Sequence, residues 1–358
     1  MNSNTNTNTS NKVKISSKIL VIDKPIGLSS FDVIRKLKKI LHLNRKDKIG
    51  HFGTLDPFAS GILLVGIGSS LKLNQFVHKL FTKTYLAEGT LGIKTASGDN
   101  TNPIIEEDFN HQKLSKISAL SIEELNQLYS SLVGDYLQRP PLYSAQKYNG
   151  LPLYKWARMT TVEGSTTTED DIKEIMESKK EQKRYIKKLR VVNYSFPKIT
   201  FEVEVSSGTY VRTLFEDMAQ KLNTIGTLTA LRRTAIAHID LSNAVKLEEI
   251  SESSLSFKQS CEQSCEQDDS RIFLKEYSKA INSDDLFFLP KIYLQDRKAY
   301  LYKNGNQVKI DNEMLCDLVD NSDGFIWVYE NDDSNLLGLG KRENTLDYYT
   351  TIIPVVCL

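Results

Sequence analysis

Asp56 sits in Gly50-His-Phe-Gly-Thr-Leu-Asp-Pro-Phe-Ala-Ser-Gly61, a loop with three glycines and a proline directly after the carboxylate. A backbone so constrained can present an ionised carboxylate to a substrate, as nucleophilic catalysis requires. The same Asp-Pro step also suits a helix N-cap with proline at N1, and caps outnumber nucleophiles. A partly desolvated carboxylate stays ionised only beside a cation. Arg212, in Gly208-Thr-Tyr-Val-Arg212, is the candidate, against the plainer expectation of a surface ion pair. His51, alone between glycines, suits a hydrogen-bonding loop residue or ligand contact better than a proton-transfer group. Neither Gly50 to Gly53 nor Gly61 to Gly68 has the spacing of a phosphate loop, and no His/Cys/Asp/Glu set has metal-ligand spacing. Nucleotide-dependent and metal-dependent chemistry are therefore not expected.

The elements that must hold these residues are legible as hydrophobic periods. Ile19 to Ile22 is a β-branched run ending in the turn Asp23-Lys-Pro-Ile-Gly27. A helix capped by Ser29 or Ser30 should follow, with Val33, Ile34, Leu37, Ile40 and Leu41 on one face and Arg35, Lys36, Lys38 and Lys39 on the others. Thr84 to Leu91 and Phe201 to Val205 alternate as strands, and Leu214, Phe215, Met218 and Leu222 recur as a helix after Arg212. Residues 160 to 190 are polar and rich in Lys and Arg, and residues 251 to 270 are a Ser/Glu/Gln/Asp run; both have the texture of insertions or linkers. Short strands and turns return beyond residue 284, which suggests a small β-rich C-terminal domain.

Composition limits what the chain can be. With 358 residues and 40 % hydrophobic content it can bury a substantial core. Its 46 Lys and Arg against 45 Asp and Glu mean that any surface suited to RNA must be local. Arg35 to Lys48, Lys179 to Arg190 and Arg232-Arg233 could meet phosphates, and Tyr85, Tyr143, Tyr148 and Tyr210 could stack on bases; solvated charges and core tyrosines explain each equally well. No apolar run reaches the ~20 residues of a membrane span, and the Asn/Thr/Ser-rich start lacks a secretion signal and suits a disordered tail. Cys261, Cys265, Cys316 and Cys357 suit free thiols in a reducing compartment, and a cytoplasmic location is expected.

The loop from Gly50 to Gly61, preceded by Asp23-Lys-Pro-Ile-Gly-Leu-Ser-Ser30, resembles two signature segments of the TruB family of bacterial tRNA pseudouridine-55 synthases. Further blocks resemble the family in order: Lys83-Thr-Tyr85, Leu91-Gly92, Arg139-Pro-Pro-Leu-Tyr-Ser-Ala-Gln-Lys147 with Gly150, Tyr154 and Ala157-Arg158, Gly208-Thr-Tyr-Val-Arg-Thr213, and Leu231-Arg-Arg-Thr234. One departure is visible: where the family shows Thr-Asp-Thr-x-Asp, this chain has Thr95-Ala-Ser-Gly-Asp99, keeping only the last carboxylate.

The resemblance implies a cofactor-free isomerase of the T-loop uridine of tRNA, with T-arm RNA as partner, no metal, no membrane and a monomeric chain. It implies an α+β pseudouridine synthase fold with a mixed, largely antiparallel sheet. The domains expected are a tail at 1–18, a catalytic domain at 19–250 with a polar insertion at 160–190, a linker at 251–283 and a PUA-like domain at 284–358. By the same resemblance Asp56 is the nucleophile, Tyr85 stacks on the flipped uracil and manages its C5 proton, and Arg212 pairs with Asp56. His51 fills or braces the space the base vacates, Tyr210 and Leu231 shape the pocket, and Asp99 contributes to substrate contacts. A tRNA-binding protein without chemistry and a synthase acting on another RNA are the alternatives.

Overall fold

The computed structural model describes residues 17–159, 168–261, 273, 277, 279–311, 324–332, 335–346 and 349–358. Residues 1–16 of the tail, the first residues of the 160–190 stretch, and residues 262–270 of the Ser/Glu/Gln/Asp run fall outside that set.

β1 (Lys18–Lys24) leads into α1 (Ser30–Ile40), whose Ser29 cap and Asp32 form a reciprocal capping box, as the Ser-x-x-Asp spacing favours. β2 (Ile49–His51), β3 (Ser60–Ile67), α2 (Asn74–Leu80) and β4 (Lys83–Leu91) follow. A small hairpin, β5 (Ile93–Thr95) with β6 (Ile104–Glu107), precedes α3 (His111–Ser118), α4 (Ile122–Tyr129) and β7 (Gly134–Gln138). Next come the short pair β8 (Lys147–Tyr148) and β9 (Leu151–Pro152), then α5 (Leu153–Met159) and α6 (Glu169–Glu177). β10 (Gln182–Ser195), β11 (Lys198–Val205), α7 (Val211–Lys221), β12 (Gly226–Ile236), β13 (Ile239–Asp240) and α8 (Leu247–Cys261) complete the larger part. The remaining chain forms β14 (Lys291–Leu294), α9 (Asp296–Lys303), β15 (Val308–Asp311), β16 (Phe325–Glu330), β17 (Leu336–Leu346) and β18 (Tyr349–Cys357).

The main sheet runs β1-β3-β12-β4-β11-β10-β7, with β2 on β3 and β13 on β12. Its neighbours are antiparallel except β3 and β12, which run parallel through Ser60 and Gly61 opposite Arg232 and Arg233. The fold class expected from the sequence is therefore the one observed: α+β, mixed and largely antiparallel, with a separate five-stranded sheet, β14-β16-β17-β18-β15, near the C-terminus.

β1 and β3 are buried on both faces, and their period-two alternation shows by what. Leu20, Ile22, Leu63, Val65 and Ile67 pack with α1 and α8. Ile19, Val21, Ile62 and Leu64 face the other way, into a core that includes Phe52, Phe76 and, from the C-terminal sheet, Trp327, Tyr329, Leu339 and Val356. A third core lies under α7, where Leu214, Phe215 and Met218 cover Phe201, Val203 and Leu228. The two sheets are thus joined through shared apolar burial.

Two charged stretches differ from expectation. Lys179 to Arg190 is not loop: most of it lies in β10, between β7 and β11. Its lysines point to solvent and pair across the strands, Lys183 with Asp135, Lys187 with Glu204 and Lys188 with Glu202, while Ile186 and Val191 supply the buried contacts. A strand that buries so few of its residues shows almost no apolar period. The acidic run is likewise helical as far as Cys261, as the end of α8.

Gly61 is where the loop carrying Asp56 meets β12. Its φ is +101°, and a Cβ there would lie 2.2 Å from the Arg233 carbonyl oxygen. Gly61→Ala is expected to cost about 3 kcal/mol or more, lowering the thermal midpoint by roughly 6–12 °C in a melt at pH 7.

Candidate active site

The loop between β2 and β3 holds Asp56 without a helix. Ala59 N donates to the Asp56 carbonyl at 3.1 Å, a turn running straight into β3, so the N-cap reading of Asp-Pro is excluded. The loop is pinned on both sides. Ser30 Oγ donates to Leu55 O at 3.0 Å and accepts from Leu55 N at 2.8 Å, and Gly27 N donates to Pro57 O at 2.7 Å.

Arg212 projects from the first turn of α7 and is 3 % exposed. Its Nε lies 3.1 Å from Asp56 Oδ2 and its Nη1 3.4 Å from Asp99 Oδ2. Nη1 also donates to Ser97 O at 2.7 Å and Nη2 to Tyr143 O at 2.8 Å. One planar fork thus ties three chain segments together, a geometry lysine cannot supply. The surface-pair expectation for Arg212 is replaced by a buried one.

Asp99 is held within its own loop as well as by Arg212. Its Oδ1 accepts from Ser97 Oγ at 2.7 Å, Thr101 N at 3.0 Å and the Thr101 hydroxyl. Ala96 itself is exposed, so the position that departs from the family pattern takes no part in holding Asp99.

Tyr210, half-buried, directly precedes α7, which has no side-chain cap. Gln138 takes that place: Tyr210 N donates to its Oε1 at 2.8 Å and its Nε2 donates to Tyr210 O at 3.0 Å. Tyr85 and Leu231, 6 % and 7 % exposed, pack in one apolar group with Leu55 and Phe58. Asp56, Arg212, Asp99, Tyr210, Tyr85 and Leu231 therefore gather around a single loop. His51 sits in β2 at the loop's other end, its Nδ1 enclosed without a hydrogen-bond partner, and burial with the nearby Arg233 lowers its pKa.

About a third of the Asp56 side chain stays open to the cleft. Enclosure of the rest pushes its carboxyl above the usual range, against the pull of the Arg212 guanidinium. A carboxylate that is costly to ionise, yet held by a buried cation and reachable from outside, can act as a nucleophile or base.

Besides Lys24, whose buried ammonium donates to Pro25 O and Leu28 O, two buried cations escaped the sequence reading. Arg233, offered above as a phosphate contact, is fully buried. Its Nε donates to Ile62 O at 2.6 Å, its Nη groups reach Thr54 O at 3.3 Å and Gly53 O at 3.4 Å, and Nη1 lies 3.5 Å from the Tyr85 hydroxyl. Lys83, 5 % exposed, donates to the Ser207 hydroxyl. A signal for both was present: Arg233 is two residues from Leu231 and Lys83 two from Tyr85, and strand residues two apart share a face. Arg232, by contrast, is partly exposed and pairs with Asp23 at 2.9 Å. Tyr148 stacks edge-on with Trp156 and carries Lys179 over its ring.

Burial and the Arg233 charge push the Lys83 ammonium down to about 7. An unfolded lysine titrates near 10.4, so between roughly pH 7 and 10 the unfolded chain holds a proton the folded one has released. Stability then rises with pH across that window, by at most about 1.4 kcal/mol per unit. Lys83→Met is expected to flatten that slope and raise stability at neutral pH, as read from denaturant titrations at a series of pH values.

Comparison with known proteins gives the family. The TruB family pseudouridylate synthase N-terminal domain matches residues 38–211, and the tRNA pseudouridylate synthase B C-terminal domain matches residues 212–280. The tRNA pseudouridine synthase B of Caldicellulosiruptor saccharolyticus is 38 % identical over 237 residues, spanning 66 % of this chain and 73 % of the relative. That of Francisella tularensis is 34 % identical over 289 residues, spanning 80 % and 82 %. Among solved structures, a Cbf5–Nop10–Gar1 complex shares the fold with a TM-score of 0.63 at 20 % identity, covering 95 % of this chain and 83 % of that one. The chain belongs to the TruB family of pseudouridylate synthases.

Proposed function

We propose that this protein isomerises uridine to pseudouridine in tRNA, at the T-loop uridine, position 55, working as a cytoplasmic monomer. The observation that carries the chemistry is the partly open Asp56 carboxylate, 3.1 Å from the Arg212 Nε, with Tyr210 nearby and Tyr85 and Leu231 in the apolar group behind its loop.

The reaction breaks the bond between C1′ and N1 and forms one between C1′ and C5; C5 loses a proton and N1 gains one. Nothing is oxidised or reduced, so no redox partner is required. Enzymes that act on a base extrude it from its stack, and Tyr85 and Leu231 then offer the flipped uracil an apolar wall. Asp56 supplies the attacking electron pair, Arg212 keeps it ionised and aimed, and Tyr85 is placed to handle the C5 proton. His51 braces the nucleotide, while Asp99 and Tyr210 set the pocket's polar edge.

Mass-spectrometric mapping of an unmodified tRNA transcript incubated with the protein tests this reading. Pseudouridine should form at the T-loop uridine and vanish when that uridine is replaced by cytidine. Tight tRNA binding with no product would return the protein to a binding role, and product at another site or in another RNA would overturn the substrate assignment.

A further inference from the structure

The lip of the cleft carries an apolar patch that the chemistry above does not use. Ile26 is 69 % and Phe31 64 % exposed. Both are held rigidly to the nucleophile's loop, because Gly27 bonds Pro57 and Ser30 bonds Leu55, the residues on either side of Asp56. Arg35 lies over the Phe31 ring, 5.8 Å from its centroid, and is held by Asp32. Along α1, Arg35, Lys36, Lys38 and Lys39 stand against the single carboxylate of Asp32.

An exposed phenylalanine gains nothing from water, and a protein-docking patch is depleted in lysine at its centre. An aromatic face beside a guanidinium and a row of ammonium groups suits a different ligand, a nucleic-acid strand whose bases stack while its phosphates follow the cations. Because the patch is fixed to the Asp56 loop, a strand that delivers a flipped uridine to the cleft passes it. We propose that Phe31, flanked by Ile26, is the stacking platform for a base next to the flipped uridine, and that the Arg35 to Lys39 side of α1 tracks that strand's phosphates. This rests on the RNA-modifying reading above.

The test is steady-state kinetics on an unmodified tRNA transcript. Phe31→Ala is expected to raise KM about tenfold, with the loss absent at saturating tRNA and the melting temperature unchanged. Phe31→Trp should restore KM. Phe109→Ser, a substitution of a residue 72 % exposed outside this patch, should leave KM alone. A KM for Phe31→Ala within twofold of wild type overturns the platform, as does an equal rise with Phe109→Ser. Loss of self-association at unchanged KM overturns it in favour of a protein contact. If the wild-type protein binds tRNA but makes no pseudouridine, the functional reading fails by itself, and the tRNA Kd of wild type against Phe31→Ala still decides the platform.

Discussion

Asp56→Asn is expected to fold normally and make no detectable pseudouridine, a loss of at least about 10⁴-fold in turnover. The amide matches the carboxylate in shape and can still meet Arg212 through its oxygen, but it has no electron pair of comparable nucleophilicity. The stability side of the prediction follows from the direction of the Asp56 shift. Enclosure raises its pKa, so over the interval between the unfolded value near 3.9 and the raised one the folded chain binds more protons, and stability falls as pH rises. Above that interval the ionised carboxylate is a cost to the fold, and Asn removes it. The melting temperature of Asp56→Asn at pH 7 should hold or rise while product formation is abolished. In the wild type, the acid limb of activity should fall at a pH above the usual aspartate range. A variant that melts well below wild type would show that Asp56 is chiefly a structural partner of Arg212.

Arg212→Met carries the second large effect, and it moves both readouts together. Removing the guanidinium strands Asp99 and part of Asp56 without their cation and leaves Ser97 O and Tyr143 O without their donor. Breaking a buried pair in this way costs about 3–5 kcal/mol. Turnover should fall by about 10²- to 10³-fold or more, since the attacking carboxylate loses both its counter-charge and its aim. Arg212→Lys separates the two contributions: it restores the charge and part of the stability, but a single ammonium cannot meet acceptors on three segments. Activity should stay low in Arg212→Lys even where the melt recovers. Full recovery of activity would mean that only the charge of Arg212 matters.

The local elements were readable because each carries its own period or cap. α1 was marked by Ser29 and the apolar spacing from Val33 to Leu41, and β4, β11 and α7 by equally plain alternation or recurrence. β10 was not readable, because a strand whose outward residues are mostly charged or polar and whose inward residues are few gives little apolar signal. Its place is set by cross-strand partners: β11, which folds back on it as a hairpin, and β7, more than forty residues earlier in the chain. The Asp-Pro cap was a fair local inference that failed because the chain after Pro57 is claimed by the β3 ladder, which offers its backbone more hydrogen bonds than a helix of a few residues could.

The site divides in the same way. Residue types and spacing pointed to Asp56 and Arg212 as a carboxylate and its counter-charge and to Tyr85 and Tyr210 among several stacking candidates, while Asp99, Leu231 and the individual roles came only with the family resemblance. Which acceptors Arg212 holds, that Gln138 caps α7, and that Lys83 and Arg233 lie buried behind Tyr85 depend on segments separated by up to 180 residues. Burial and pairing are properties of three-dimensional neighbours, and the energies that convert an ordinary aspartate into a reactive one come from desolvation and from a guanidinium 156 positions along the chain. Composition and spacing name the groups, and packing alone sets their charge states and their reach.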